Sequence, residues 1–435
     1  MTDLTMDAIV VEAPRTLILK RHVAAAVIVN GLEVYDFITY SYFAVQIGHA
    51  FFPSKIPFIS LMLSLATFGV GFFLRPVGAV VIGRYADQVG RKPAMLLSLI
   101  LMGASIVGLV LTPTYAMIGL AAPVLALIWR LIQGFALGGE IGPTTAYLVE
   151  AAPPARRGFY TAFQGISQAT AALTGGLVGV ILANLAGPEG LQTWGWRVAL
   201  ALGVIVLPVG YWLRRTLPET LERREDRSAA LPADARVRSH VRIIIIGLGV
   251  IASGTVSTYV LGYMTTYAIT TLHMPARIAL GSSIAVGLAG IVGCLIGGVL
   301  CDRFGRRPLM IWPRITVMLI MIPAFQFIVW RHDAVALLGA LALISVIGSL
   351  GTAALYTALA ESMHKNLRGA GVGIVYATAV AVFGGTTQPT IAWLTHVTGN
   401  PLAPAWYMLG FSFIGLIAVL FMRESAPSKL ALKAA

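Results

Sequence analysis

The stretch Gly83-Arg84-Tyr85-Ala86-Asp87-Gln88-Val89-Gly90-Arg91-Lys92-Pro93 is a short charged loop between two long apolar runs. It returns 215 residues on (298 − 83) as Gly298-Val299-Leu300-Cys301-Asp302-Arg303-Phe304-Gly305-Arg306-Arg307-Pro308. Glycine, aspartate, glycine and arginine keep one spacing in both copies. A second pair agrees: Glu150 precedes Arg157-Gly158, and Glu361 precedes Arg368-Gly369, at an offset of 211 (361 − 150). Two matches at nearly the same offset, about half of the 435-residue length, describe a duplicated architecture.

The material around these loops is apolar. The chain is 57% hydrophobic and 11% charged, with a mean hydropathy of +0.84. A soluble domain carries about 25% charged residues. A bilayer-crossing helix takes ~20 apolar residues, and hydropathy predicts about twelve such segments. They fall near 22–48, 57–83, 93–112, 119–148, 158–185, 196–213, 242–271, 278–300, 309–329, 335–360, 369–396 and 403–422. Backbone groups in lipid must be bonded internally, so the runs read as helices. The short alternating segments of a β-barrel are absent. The fold class is therefore an all-α membrane protein, with twelve transmembrane helices in two pseudo-symmetric six-helix bundles.

The formal net charge is +13, but its distribution argues against nucleic acid. Arg84, Arg91, Lys92, Arg156, Arg157, Arg303, Arg306, Arg307, Lys365 and Arg368 cluster in alternate loops. That is the positive-inside pattern, and it puts the motif loops and both termini in the cytoplasm. The polar stretch 214–241 falls between segments six and seven. The expected organisation is a tail over 1–21, a bundle over 22–213, a linker over 214–241, a second bundle over 242–422 and a tail over 423–435. Residues 1–21 carry Asp3, Asp7 and Glu12 and have no short apolar core with a cleavage site, so they read as a tail rather than a signal peptide. Cys294 and Cys301 are seven residues apart on one helix, ~10 Å along its axis, too far for a disulfide. No cysteine or histidine spacing suggests a metal.

Charges within the spans cost several kcal/mol unless paired or hydrated, so each is a functional candidate. Glu33 and Asp36 share a face of helix 1. Arg75 lies inside the second apolar run, beside Pro76, which can kink the helix. Arg130 and Gln133 share a face of helix 4, followed by Glu140. Gln164 and Gln168 are four apart on helix 5. The second half offers neutral groups: Tyr259, Tyr263, Thr266 and Tyr267 on helix 7, then Tyr376, Thr386, Thr387 and Gln388 on helix 11. Arg314, near the start of helix 9, is expected to reach back to the membrane surface.

Arg75 and Arg130 suit an anionic substrate, because a guanidinium grips a carboxylate in a fork and keeps its charge when desolvated. Alternatively they pair with Glu33, Asp36 or Glu140 as permanent salt bridges. The same three carboxylates are the candidate proton carriers. Candidate substrate contacts are Arg75, Arg130, Gln164, Gln168, Tyr259, Tyr376 and Gln388. The loops supply a candidate latch: Gly83, Asp87, Gly90 and Arg91, with Gly298, Asp302, Gly305 and Arg306. Their glycines allow close helix approach, and their aspartates can accept from an arginine and from a helix N-terminus of the other half. The same loops could instead serve only as positive-inside anchors. No Walker A pattern is present, so no nucleotide or other cofactor is expected, and an ion gradient supplies the driving force.

The two loops resemble the signature loops of the major facilitator superfamily. Asn30-Gly31-Leu32-Glu33-Val34-Tyr35-Asp36-Phe37, Leu74-Arg75-Pro76-Val77-Gly78, Arg130-Leu131-Ile132-Gln133-Gly134-Phe135 with Gly138-Gly139-Glu140, Trp194-Gly195-Trp196-Arg197 and Ala381-Val382-Phe383-Gly384-Gly385-Thr386 resemble its metabolite–proton symporter family. The runs Leu61 to Gly90 and Gly119 to Gln133, with Arg157-Gly158-Phe159-Tyr160-Thr161, look most like the citrate and tricarballylate carriers. The resemblance implies proton-coupled import of a di- or tricarboxylate across a bacterial inner membrane, while the two halves in one chain make a monomer sufficient. It implies carboxylate binding by Arg75 and an association of Arg130 with proton coupling. Gln88 departs from the arginine usual there, and Tyr35 and Tyr40-Ser41 depart from a phenylalanine-rich helix 1. Carriers of 2-oxoglutarate, shikimate, proline or betaine in the same family are the alternatives, as is a membrane sensor that binds without transporting.

Overall fold

A computed structural model describes residues 20–138, 144–145, 148–150, 152–216, 234–363, 368–427 and 429. Among the described residues every regular element is helical. Helix 1 is Lys20–Tyr42 continued by Ala44–Phe51, and helix 2 is Pro57–Phe73 continued by Arg75–Val89. Helix 3 is Arg91–Leu111, and helix 4 begins as Ala121–Leu137. Helix 5 is Arg157–Gly190, and helix 6 runs from Trp196–Ala201 into Val206–Thr216. Helices 7, 8 and 9 are Asp234–Thr270, Ala276–Phe304 and Arg306–Arg331. Helix 10 is Ala334–Leu350 continued by Thr352–Ser362. Helix 11 runs from Arg368–Ala379 to Gly385–Thr398 through a π-helical turn, and helix 12 is Ala403–Leu420.

Residues 1–19, 217–233 and Glu140 lie outside the described residues, and so do most of the predicted linker and the end of the C-terminal tail. Helix 7 starts at Asp234, inside the predicted linker, because Ala235 and the arginines beside it carry a helix past the apolar run that hydropathy detects. Helices 5 and 6 form one apolar stretch, Pro154–Trp212, divided where Gly187 takes φ +64°. Helix 2 is interrupted at Leu74, two residues before Pro76, and Arg75 opens its second segment.

The repeat seen in the sequence has a backbone counterpart. Gly90 and Gly305 precede helices 3 and 9 with φ of +127° and +107°, a region that favours glycine. These loops mark one face of the molecule, the motif face. Gly298 makes close approach possible: a Cβ there would stand 2.8 Å from Ala162 Cβ on helix 5. Gly83 differs, since a Cβ there meets nothing within 4 Å.

Inside the first half, helices 2 and 4 touch backbone to backbone. A Cβ on Gly134 would stand 1.6 Å from the Gly71 carbonyl oxygen, and one on Gly78 1.9 Å from that of Phe135. Helix association in lipid rests on such contacts between small residues. A carbonyl cannot rotate away as a side chain can, so the two helices must separate. Gly134→Ala is expected to cost at least the ~1–3 kcal/mol of an overpacked core. A lower melting temperature in detergent for Gly134→Ala, with Gly83→Ala close to wild type, is the expected result.

Candidate functional site

Between the two halves lies a cavity of about 200 Å³. The first half contributes Asn30, Glu33, Phe37, Arg75 and Gln168; the second contributes Thr258, Tyr259, Tyr356, Tyr376 and Gln388. Six of the predicted residues are thus brought together: Glu33, Arg75, Gln168, Tyr259, Tyr376 and Gln388.

Arg75 is held by aromatic rings. Its guanidinium carbon is 4.4 Å from the centre of the Phe72 ring and 4.6 Å from that of Phe37. Tyr259 meets Phe72 edge-on at 5.3 Å. Cation–π contact holds the guanidinium without neutralising its charge. Its Nε has no hydrogen-bond partner, and among the described residues no ion pair joins it to a carboxylate. The rings hold Arg75 in place and leave its fork available to an anion.

Arg130 and Asp36 lie elsewhere. Neither lines the cavity; Arg130 is 0% exposed and Asp36 2%. Arg130 Nη1 is 3.9 Å from Asp36 Oδ2. Gln133 sits between them: it accepts from Arg130 Nη1 and donates to Asp36 Oδ2. The Tyr40 ring lies 3.6 Å from the Arg130 guanidinium carbon. Arg130, a predicted substrate contact, is thus turned toward Gln133, Asp36 and Tyr40 and is absent from the cavity lining in this conformation. Both arginines contact the Phe37 ring, with the Arg130 guanidinium carbon 5.5 Å from its centre.

Gln164 also lies behind the wall. Its amide donates to Asn30 Oδ1 at 3.4 Å, and Ser167 Oγ donates to the same atom at 2.7 Å. Gln164 thus ties helix 5 to helix 1. Gln168 reaches across to Tyr356, at 3.5 Å. Gln388 joins Ser41 of the first half, donating from Nε2 at 2.6 Å. Tyr356 was not singled out in the sequence, and Asn30 and Ser41 entered it only within helix 1 stretches, not as candidate contacts. Their one signal is a hydrogen-bonding side chain in an apolar span. Tyr263 and Tyr267 pack in the core of the second half, the latter donating to the Pro401 carbonyl.

Contacts between the halves lie on both sides of the cavity. At the motif face, Asp302 accepts from the backbone N–H groups of Gly158 and Phe159, both at 2.8 Å, at the start of helix 5. Arg306 donates to Asp302 at 2.8 Å and pairs with Glu361 at 3.4 Å, and Glu361 pairs with Arg157 of the first half at 3.3 Å. Glu424, beyond helix 12, caps helix 9 by accepting from the Arg306 and Arg307 N–H groups. Burial pushes the Glu424 carboxyl up, but these and the Ser425 and Ala426 N–H groups hold it below its ordinary value. The side chains of Asp87 and Arg91, the first-half counterparts, lie outside the described residues. Toward the opposite face Phe58 stacks on His396 at 3.8 Å, and Gly69 meets Gly385 backbone to backbone.

Two helical bundles enclosing a cavity with a cationic fork at its wall, and crossed by ionic contacts at a repeated loop, define a membrane carrier built from two halves. Residues 36–389 match the family model of the Major Facilitator Superfamily, and the chain belongs to that family. It is a transporter rather than an enzyme. It is 35% identical to the citrate-proton symporters of Salmonella typhi and Klebsiella pneumoniae, over 91% of this chain and 92% and 90% of theirs. The crystal structure of a D-xylose-proton symporter shares its fold, with a TM-score of 0.73 at 20% identity over 94% of this chain and 98% of that one.

Proposed function

We propose that this chain imports a small di- or tricarboxylate such as citrate together with protons, by alternating access at the inner membrane. The observation that carries the reading is Arg75: a desolvated cation at the cavity wall, held by two rings and without an ion-pair partner among the described residues. The citrate-proton symporters it resembles support the same substrate class. Asp36, buried with Gln133 and Arg130, is the proton site, and Glu33 is the carboxylate nearest the substrate. Neutral hydrogen-bonding groups of the second half, Tyr259, Tyr376 and Gln388, complete the ligand shell. Asp302 latches the motif face closed through the helix 5 N-terminus and must release it for the halves to rock. The positive-inside loops put the motif face and both termini in the cytoplasm. One chain supplies both halves, so a monomer suffices, and no cofactor is needed beyond the proton gradient.

A second reading is favoured by Glu33, which places a carboxylate in the cavity with Arg75, as a zwitterion such as betaine would require. Uptake of labelled citrate into proteoliposomes, with and without an inward proton gradient, tests the proposal. Gradient-driven uptake is expected. Competition by betaine with none by citrate would select the zwitterion.

A further inference from the structure

Arg314 lies two turns into helix 9, about 12 Å along the axis from Arg306. Its expected path back to the membrane surface is not the one it takes. The guanidinium turns inward, between helices 7 and 12. A Cβ on Gly415 would stand 2.2 Å from Arg314 Nη1 and 2.6 Å from Ser253 Oγ. Glycine at 415 is what makes room for the cation. Nη1 is buried and has no hydrogen-bond partner, and among the described residues no ion pair involves Arg314.

Arg314 lines a second cavity, of about 120 Å³, within the second half between helices 7, 9, 10 and 12. Ser253, Ser257, Ser349 and Ser412 bring hydroxyls to it, and no acidic residue lines it. Thr258, Ser345, Ser349 and Thr352 line both this cavity and the central one, so a polar wall is common to the two. A guanidinium drawn this far into a bilayer is costly unless an anion meets it. The Ser257, Thr258 and Ser345 hydroxyls donate to backbone carbonyls; those of Ser253, Ser349 and Ser412 stand with the cation on the same lining, and together they complement a carboxylate.

The central cavity, by contrast, has its cation, Arg75, on the first half alone. A carrier that rocks about its ligand gains from holding it on both halves. We infer that the Arg314 cavity is a second carboxylate subsite, taking one carboxylate of the anion whose other end meets Arg75. This rests on the reading of the protein as a polycarboxylate carrier.

The test is binding to the purified full-length chain in detergent, read as ligand-dependent thermal stabilisation, with acetate, glutarate, tricarballylate and citrate as probes. Arg314→Met keeps much of the side-chain volume and removes the charge. It is expected to weaken tricarballylate and citrate by about tenfold or more, as loss of a charge-assisted hydrogen bond does, and to leave acetate unchanged. Arg314→Lys should recover part of the loss. Unchanged tricarballylate affinity in a monodisperse Arg314→Met protein would overturn the subsite and leave the proposed function standing. An equal loss for acetate and tricarballylate would overturn it too, by marking a general packing defect. A wild-type protein that binds none of the four overturns both readings. If Arg314→Met does not fold, Arg314→Lys and Ser412→Ala carry the same comparison.

Discussion

Arg75→Lys lowers carboxylate uptake by about 10–100-fold at unchanged protein level, as expected when one charge-assisted hydrogen bond is lost at about 1.5–3 kcal/mol. Lysine keeps the charge, so the effect isolates geometry. The guanidinium is planar and stacks between Phe37 and Phe72, at 4.6 and 4.4 Å, which aims its fork. An ammonium offers a point charge on a flexible stem and cannot meet two carboxylate oxygens at once. The loss should fall mainly on KM, because the contact is made with bound substrate. A cation that merely clamps the two rings predicts a different outcome: reduced stability with an unchanged KM. Uptake kinetics at matched expression, beside a thermal melt, separate the two. Normal uptake by Arg75→Lys removes Arg75 from the substrate site.

Asp36→Asn is expected to abolish gradient-driven accumulation while leaving exchange of substrate across the membrane. The substitution is isosteric, and an amide oxygen can still accept from Gln133. Two things change. The group can no longer take and release a proton, and Arg130 loses the anion 3.9 Å away in a site with 0–2% exposure. Removing one partner of a buried pair typically costs about 3–5 kcal/mol, so lower expression is expected as well. Counterflow is the informative readout because it needs the halves to rock with substrate but needs no net proton movement. Accumulation that survives in Asp36→Asn would make the Asp36–Arg130 pair static and move the proton to Glu33 or Glu140.

The residues that carry these predictions were unequally legible in the sequence. Arg75 stood out because a charge in an apolar run is costly and therefore conspicuous. Glu33 and Asp36 were also conspicuous, yet three residues on one helix read as a shared face. In the fold they divide: Glu33 lines the cavity, and Asp36 turns behind it to Gln133. Helical spacing gives the angle between two side chains but not which neighbour each will meet. Arg314 shows the same limit more sharply. Two turns from a charged loop, it reads as a residue that returns to the surface, and only the gap at Gly415, 101 residues later (415 − 314), admits it to the interior.

In a soluble helix the polar face marks the solvent side, so sequence periodicity points to the core. In a bilayer the lipid is as apolar as the packed interior, and that contrast vanishes. The chain's sequence alone therefore determined the apolar helical runs, the duplication and the unpaired cost of each intramembrane charge, because these follow from local composition and backbone hydrogen bonding. The tertiary structure alone decided which faces meet: Arg75 to the cavity, Arg130 to Asp36, Arg314 to a cavity of its own, and Asp302 to the start of helix 5 in the other half. Those pairings join residues roughly a hundred or more positions apart in most cases, and they depend on backbone approach at glycines whose partners no local pattern names.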